Sequence, residues 1–148
     1  MNGAYTVLLV EDDPDDVILT QRAFKKASVA NPLHVVTDGE EAVAYLSGQG
    51  RFADRAEHPL PMLLLLDLKL LRRSGLEVLE WLRAQPGLRR LPVVVLTSSK
   101  ESRDVNRAYD LGVNSYLVKP VAFDSLQEMV HSLGFYWLML NKSPDPSP

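Results

Sequence analysis

The sequence predicts a doubly wound α/β fold, in which five helices flank a five-stranded parallel sheet. Residues 62–66 support this best, because they are five consecutive apolar residues that end abruptly at Asp67. A run this short and uniformly apolar is typical of a strand buried on both faces of a parallel sheet. Similar runs alternate with helix-length segments, which favours right-handed crossover units. Several runs also end in polar residues, and open parallel sheets hold their sites at the carboxyl ends of the strands.

Composition limits the classes of function. With 148 residues, 46% of them hydrophobic, the chain should form one domain around one core. The lack of cysteine excludes disulfides, thiolate metal sites and a cysteine nucleophile, and it fits a reducing cytoplasm, where we expect the protein. The net charge of -3 argues against broad binding of nucleic acid. No apolar run approaches the roughly 20 residues that span a membrane, and the first residues lack the basic region and apolar core typical of a signal peptide.

The first half of the chain predicts two strands and two helices. Residues 6–10 are an apolar run, and the Asp13-Pro14 pair that follows is typical of a helix start, with Asp13 as N-cap and Pro14 in the first turn. Apolar residues three or four positions apart give this helix one buried face. The next elements are a strand at residues 33–36 and a helix at residues 40–46 that stops at Gly48.

Residues 47–61 are predicted to be a loop. They contain two glycines and two prolines, and they show no apolar period. About fifteen residues is long for a loop in a compact domain, and such loops are usually functional or partly mobile.

The second half predicts three strand–helix units. A connection at residues 68–74 leads from the third strand to a helix that begins at Gly75, with Leu76, Leu79 and Leu82 or Trp81 facing inward. The remaining elements are a strand at 92–96, a helix at 101–111 closed by Gly112, a strand at 115–118 and a helix from Phe123 to Leu140. We expect one domain at residues 5–141, a proline-rich disordered tail at 142–148 and no output domain.

Charged and hydroxyl side chains follow four of the five strands. Glu11 and Asp12 follow the first strand, Asp67 the third, Thr97 the fourth and Lys119 the fifth. Because the carboxyl ends of parallel strands share one edge, we expect these side chains to converge. Three carboxylates repel each other, and one ammonium group cannot neutralise them. We therefore expect either that one of these carboxyl groups has a raised pKa or that the site binds a cation. Hard oxygen ligands at a partly hydrated site favour Mg²⁺.

An aspartate beside a divalent cation, a lysine and a hydroxyl group can attack phosphorus and become an acyl phosphate. In this interpretation Asp67 is the nucleophile. Asp12 and Asp67 hold the metal, and Glu11 helps through a water molecule. Lys119 and Thr97 bind the phosphoryl oxygens that the metal leaves free.

These residues resemble the receiver domain of a two-component response regulator, with its CheY-like (flavodoxin-like) fold, over about residues 6–140. The motifs that carry the resemblance are Glu11-Asp12 after the first strand, Asp67 after the third, Thr97-Ser98 after the fourth, Tyr116 within the fifth and Lys119-Pro120 at its end. The resemblance implies that Asp67 is phosphorylated by a phosphohistidine on a sensor histidine kinase. The protein would then be a phospho-acceptor switch that signals through partners.

The resemblance also implies roles for further residues. The backbone carbonyl of Lys69 would complete the magnesium shell, Thr97, Ser98 and Tyr116 would form the switch, and the Lys119–Pro120 peptide is a candidate cis bond. The family often has proline and aspartate where this chain has Leu71 and Ser74, a difference that concerns loop shape and partner recognition. Residues 47–61, 92–99 and 135–138 look like those of the small stand-alone regulators that pair with phytochrome kinases.

The end of the last helix predicts a homodimer. Residues 135–140 are apolar around the full circumference of a helix, which packing on one side cannot bury, and exposed apolar surface usually marks an interface. The alternative is an amphipathic end folded back on its own domain. The predicted interface residues are Phe135, Tyr136, Trp137, Met139 and Leu140.

Other polar residues receive structural explanations. Asp13, Asp15 and Asp16 are interpreted as capping and helix-dipole residues. The three histidines, His34, His58 and His131, lack metal-ligand spacing and are expected at the surface or rim. Solvated side chains are predicted for Arg72, Arg73, Arg89 and Arg90.

Three other functions fit the sequence less well than the phospho-switch. A haloacid-dehalogenase-like phosphohydrolase would have a second aspartate two residues after the nucleophile, where this chain has Lys69. A nucleotide- or flavin-binding module would have a glycine-rich loop after the first strand, where this chain has acids that repel phosphate. An unphosphorylated scaffold would not need the complete set of site residues.

Overall fold

The computed structural model describes residues 6–26, 32–119 and 122–133. Its strands are β1 (Val7–Val10), β2 (Leu33–Val36), β3 (Leu63–Leu66), β4 (Val93–Thr97) and β5 (Ser115–Val118). Its α-helices are α1 (Pro14–Lys26), α2 (Gly39–Ser47), α3 (Gly75–Ala84), α4 (Ser102–Asp110) and α5 (Phe123–Leu133). The predicted alternation of five strands and five helices is confirmed.

The strands form one sheet in the order β2-β1-β3-β4-β5, and each neighbouring pair is parallel. This is the flavodoxin-like order, which confirms the predicted fold class. The chain leaves β1 toward β2 on one side and later returns to β3 on the other. A ligand crevice is therefore expected outside the carboxyl ends of β1 and β3.

Two hydrophobic clusters cover the two faces of the sheet. On one face, Leu8, Leu64 and Val95 belong to a cluster that includes residues of α2, α3 and α4. On the other face, Leu9 and Leu65 pack in a cluster with residues of α1 and α5. Successive strand residues point to opposite faces. The central strands are uniformly apolar because both of their faces are buried.

Side-chain caps set several helix boundaries. Asp13 Oδ1 accepts the backbone N–H groups of Asp15 and Asp16 at 2.9 and 3.4 Å, which confirms the predicted cap of α1. Gly48 ends α2 with φ of 69°, a left-handed conformation that suits glycine. Ser74 caps α3 in a capping box with Glu77, an arrangement the sequence analysis did not predict.

Helix α3 buries two of the residues that its spacing predicts, and one further residue. Leu79 and Leu82 are fully buried, and Val78 joins them, whereas Leu76 and Trp81 are only partly buried. Among the described residues, none of the helices has both the length and the apolar character needed to cross a bilayer.

The predicted loop at residues 47–61 is present from residue 48, because Ser47 is the last residue of α2, and it contains a short 3₁₀ helix, Gly50–Phe52. The Phe52 side chain is buried. The Tyr45 hydroxyl donates to the Pro59 carbonyl at 2.9 Å, and Arg55 donates to the carbonyls of Tyr45 and Leu46 at 2.7 and 2.9 Å. The loop is therefore packed against the end of α2.

Two of the three histidines take part in this packing. His34 on the edge strand β2 and His58 in the loop are half-buried, and both rings lie against the Tyr45 ring, with centroids 6.0 and 5.7 Å away. Their own centroids are 6.4 Å apart. The prediction of rim positions fits these two histidines, but the contact between them is a tertiary feature. His131 is exposed on α5.

The pKa of His34 predicts how stability depends on pH. Burial lowers this pKa, and the nearby His58 lowers it further. As the pH falls from about 7.5 to about 5, the unfolded chain binds a proton at His34 before the folded chain does, so the folded state loses stability. We expect the stability advantage of wild type over His34→Gln, measured by urea unfolding, to shrink over this range.

The exposed His131 supplies the control. His131→Gln keeps His34, so this variant should still lose stability as the pH falls. If His34→Gln and wild type lost stability in parallel, the burial of His34 would not be the cause.

Candidate functional site

The last backbone hydrogen bonds at the carboxyl edge of the sheet position three of the predicted site residues. The Asp67 N–H donates to the Val10 carbonyl at 3.1 Å, and the Lys119 N–H donates to the Thr97 carbonyl at 2.8 Å. These bonds fix the first residue after β3 and the first after β5 at the same edge of the sheet. Asp67, Thr97 and Lys119 therefore share one edge, as their positions after parallel strands predict.

The Lys119 ammonium group is the centre of the site. Its Nζ lies 2.7 Å from Glu11 Oε1, 2.8 Å from Asp16 Oδ2 and 3.1 Å from Asp67 Oδ2. Because β4 separates β5 from β3, the Lys119 side chain crosses the end of β4 to reach these acids. The expected approach of Lys119 to Asp67 and Glu11 is present in the structure.

Asp16 is a site residue that the sequence analysis missed. It was assigned to the start of α1, where its neighbour Asp13 does act as the cap. Its carboxylate instead contacts Lys119. Because α1 follows β1 after a short turn, the sequence places its first turn near the same edge, but it does not show that the Asp16 side chain reaches Lys119. Asp15, by contrast, is exposed.

Three carboxylates are close enough to hold one cation. Glu11, Asp12 and Asp67 each offer an oxygen atom, and these atoms lie within 4.8 Å of one another. Two ligands of Mg²⁺ at about 2.1 Å can be at most about 4.2 Å apart, so a small closure would suffice. Glu11 and Asp67 are 1% and 4% exposed, while Asp12 is half-buried. The residues present fit a hard divalent cation.

The charges of the site shift the pKa values of its members. The pKa of Glu11 is raised to about 7, mainly by burial. The hydrogen bond from Lys119 lowers this pKa, and the negative charge of Asp67 raises it. Burial alone would lower the pKa of Lys119, but hydrogen bonds to Asp16 and Glu11 outweigh burial and raise it above its usual range. The ammonium group of Lys119 therefore stays charged. Because the carboxylates around it outnumber it, the site keeps an excess of negative charge.

Both oxygens of the Asp67 carboxylate accept a hydrogen bond. Oδ1 accepts from the Lys69 backbone N–H at 3.0 Å, and Oδ2 accepts from Lys119 Nζ at 3.1 Å. The contact at Lys69 therefore involves its N–H, and the metal-binding role of its carbonyl remains a prediction.

Gly75 allows α3 to begin directly against the Asp67 backbone. Its N–H donates to the Leu68 carbonyl at 3.0 Å. A Cβ atom at this position would lie 2.3 Å from the Asp67 carbonyl oxygen and 2.6 Å from the Leu68 Cα atom. The start of α3 thus approaches the backbone of Asp67 and Leu68 at a distance that only glycine permits.

The predicted switch residues occupy different environments. Thr97 is fully buried at the end of β4, whereas the neighbouring Ser98 is exposed. The Tyr116 hydroxyl donates to the Ser99 carbonyl at 2.8 Å, and the Ser99 hydroxyl donates to Asp104 on α4. Ser99, which the sequence analysis did not single out, is thus the residue that joins Tyr116 to α4.

The loop of residues 68–74 after Asp67 is tied to the start of α2. Arg72 has φ of 67°, an uncommon conformation for a residue other than glycine, and its Nε lies 3.3 Å from Asp38 Oδ2. Arg73 Nε lies 3.0 Å from Glu40 Oε2. The Arg72 side chain is largely exposed, which fits the prediction of a solvated residue, whereas the Arg73 side chain is half-buried. The Leu71 side chain is 68% exposed.

Some predictions lie outside the described residues. They are the Lys119–Pro120 peptide, the interface residues Phe135, Tyr136, Trp137, Met139 and Leu140, and the tail at residues 142–148.

Comparison with known proteins shows extended similarity. A family model for the response regulator receiver domain matches residues 7–131. The probable methanogenesis regulatory protein FilR2 of Methanothrix harundinacea is 39% identical over 143 residues, covering 97% of this chain and 90% of that protein. Response regulator Rcp1 of Synechocystis sp. is 39% identical over 137 residues, covering 93% of this chain and 91% of that protein.

Solved structures show the same similarity. The crystal structure of the phosphorylated cyanobacterial phytochrome response regulator RcpA has a TM-score of 0.85 at 37% identity, covering 96% of this chain and 99% of that chain. The crystal structure of the Mn²⁺-bound form of response regulator Rcp1 has a TM-score of 0.82 at 38% identity, covering 95% and 99%. These similar proteins thus include one in a phosphorylated form and one in a metal-bound form.

Gly75→Ala should destabilise the protein by about 3 kcal/mol, because the new methyl group meets backbone atoms that cannot move aside. Gly50→Ala is the matched control. Gly50 also has a positive φ, of 59°, but a Cβ atom there meets nothing within 4 Å. It should cost only about 1 kcal/mol of backbone strain. Chemical denaturation measures both, and equal losses would contradict the steric explanation.

Proposed function

Because the chain belongs to the response regulator receiver domain family, we propose that it is a phospho-acceptor switch. In this proposal Asp67 receives a phosphoryl group from a histidine kinase in a Mg²⁺-dependent reaction. The observation that carries the proposal is the Lys119 ammonium group, 3.1 Å from Asp67 Oδ2 and surrounded by further carboxylates. A buried carboxylate beside a cationic donor suits the stabilisation of a phosphoryl group in transfer.

The proposed transfer step forms one bond and breaks one. A carboxylate oxygen of Asp67 forms a bond to phosphorus, and the bond from phosphorus to the imidazole nitrogen of the donor histidine breaks, with its electron pair left on the nitrogen. The Lys119 ammonium group and the Thr97 hydroxyl bind phosphoryl oxygens. The Lys69 N–H holds the acceptor carboxylate in orientation. The product is an acyl phosphate on Asp67.

Glu11, Asp12 and Asp67 would hold the divalent cation, Glu11 through a water molecule, together with the backbone carbonyl of Lys69. Such a cation supplies neutralisation of negative charge on the oxygens of the phosphoryl group. The choice of Mg²⁺ rests on its preference for oxygen ligands and for keeping several water molecules. A solved structure of the similar response regulator Rcp1 is of its Mn²⁺-bound form, which supports the proposal that a divalent cation is bound.

The output would come from a change at the β4–α4 loop. A phosphoryl group held by Thr97 would compete with the contacts that Thr97 and its neighbours make in the resting state. The Tyr116–Ser99–Asp104 hydrogen bonds connect this loop to β5 and α4. Phosphorylation would bias an equilibrium between two arrangements, to the extent that the phosphate contacts differ between them. Ser98, exposed beside Thr97, would belong to the surface that changes.

The protein would catalyse only its own phosphotransfer and dephosphorylation. A phosphohydrolase that uses an aspartate nucleophile needs a general acid to protonate the leaving group. Lys69 occupies the position where such enzymes have that acid, and only its backbone N–H contacts Asp67. Turnover of external phosphate esters is therefore not part of this proposal.

The phosphohistidine donor is proposed to belong to a phytochrome kinase. The similarity to the phytochrome response regulator RcpA extends over 96% of this chain, which supports this partner. A histidine kinase takes its phosphoryl group from ATP, so the reaction would take place in the cytoplasm.

A homodimer built on residues 135–140 is the remaining part of the proposal. Its support is the apolar character of these residues around a whole helix circumference. Phosphorylation would then signal both through the domain surface and through the dimer interface.

Asp67→Asn should abolish labelling by acetyl phosphate. The amide lacks the nucleophilic carboxylate, whereas wild type in Mg²⁺ should gain the mass of one phosphoryl group in intact-mass spectrometry. Asp54→Asn, in the loop at residues 47–61, is the control and should label like wild type. Removal of the metal with a chelator should slow the labelling of wild type strongly. Labelling of Asp67→Asn at the wild-type rate would rule out Asp67 as the acceptor.

Trp137→Glu should convert the dimer into a monomer, because a charge buried in an apolar interface is costly. Light scattering at equal protein concentration measures the change. Tyr109→Glu is the matched control, since Tyr109 is an aromatic residue of α4 that is 51% exposed. Dissociation by Tyr109→Glu and not by Trp137→Glu would move the interface to α4.

A further inference from the structure

The Lys119 ammonium group divides its three N–H donors among three carboxylates. The contacts to Glu11 and Asp16 are 2.7 and 2.8 Å long, while the contact to Asp67 is longer, at 3.1 Å. An ammonium group can serve three acceptors at once, and charge-assisted bonds of 2.7–2.9 Å are the strong ones. The ammonium group thus lies closer to the two other acids than to the proposed acceptor.

Asp16 differs from the other acids in place and surroundings. It lies in the first turn of α1, whereas Glu11 and Asp67 directly follow strands. The three carboxylates that could hold a cation are Glu11, Asp12 and Asp67, and Asp16 is not among them. Its side chain is 30% exposed, against 2% for Glu11 and 5% for Asp67. Its contact with the site is therefore through Lys119.

We propose that Asp16 is a positioning residue that holds the Lys119 ammonium group partly away from the acceptor oxygen of Asp67. This inference deepens the proposed function and rests on it. An ammonium group that moved fully onto Asp67 would bind the electron pair that must attack phosphorus. Such an ammonium group would also have to break a stronger contact with Asp67 before it could bind a phosphoryl oxygen. Asp16 gives the lysine a second fixed partner, so Lys119 stays in the site while Asp67 remains available.

A positioning role and a simple charge effect predict opposite changes. Without Asp16, one negative charge near the site is lost, and repulsion of an anionic phosphodonor falls, so charge alone predicts faster labelling. Positioning predicts slower labelling, because the freed ammonium group binds Asp67 more closely. The sign of the change therefore separates the two explanations.

The test compares Asp16→Ala with Asp15→Ala in the complete chain. Both changes remove one acid from the first turn of α1, and Asp15 is exposed. The labelling rate with acetyl phosphate is measured at a Mg²⁺ concentration that saturates each protein. We expect the labelling rate of Asp16→Ala to be about tenfold lower than that of wild type, and the rate of Asp15→Ala to stay within about twofold of it. An unchanged or faster Asp16→Ala, or an equal fall in Asp15→Ala, would overturn the inference.

Two measurements on metal-free protein test the position of the lysine directly. In a crystal structure of Asp16→Ala, Lys119 Nζ should lie nearer to Asp67 Oδ2 than the present 3.1 Å. The ¹⁵N resonance of the Lys119 ammonium group should shift in Asp16→Ala and stay in place in Asp15→Ala. An ammonium group that does not move would also overturn the inference, even if the variant were less stable.

Failure of this inference can be distinguished from failure of the proposed function. If wild type is not labelled at Asp67, the proposed function is wrong. If wild type is labelled and Asp16→Ala is labelled equally fast, only the role of Asp16 is wrong.

Discussion

A single ammonium group shared by three carboxylates is the interaction on which the site depends. Lys119 comes from the end of β5, Glu11 from the end of β1, Asp67 from the end of β3 and Asp16 from the start of α1. Buried charges are tolerated in proteins when they are paired and hydrogen-bonded. Because Glu11 and Asp67 are almost fully buried, the lysine is what allows these acids to lie together. The remaining excess of negative charge is what makes the site suitable for a divalent cation.

The parallel register of the sheet makes this arrangement possible, because it aligns the carboxyl ends of the strands. Parallel pairing of β1, β3, β4 and β5 brings four carboxyl ends to one edge, and cores on both faces of the sheet hold the strands in register. Polar side chains at that edge do not interrupt either core. The close contact of Gly75 with the Asp67 backbone adds a second constraint, which sets where α3 begins. The buried core of the molecule thus lies beneath Asp67.

Two loops are held in place by contacts to α2. After Asp67, an arginine pair binds Asp38 and Glu40 at the start of α2, and Ser74 caps α3. Serine and aspartate are both good N-caps, so an aspartate at position 74 could cap α3 as Ser74 does. The loop at residues 47–61 is fixed to α2 through Arg55 and an aromatic cluster. Both loops are held by contacts to α2, so this helix connects the acceptor loop with the long loop.

The sequence by itself determined the order of the elements, the fold class and most of the candidate site. The elements follow from local patterns, namely apolar runs and helix spacing. In a parallel sheet, the acids and the lysine that follow the strands must lie at one shared edge. Tertiary structure alone decided that Asp16 contacts Lys119, that Ser99 rather than Ser98 accepts from Tyr116, and that His34 faces His58. The reason is physical: an acid at a helix start has the same local pattern whether it caps the helix or reaches a distant lysine. Only the packing of α1 over the sheet edge distinguishes the two.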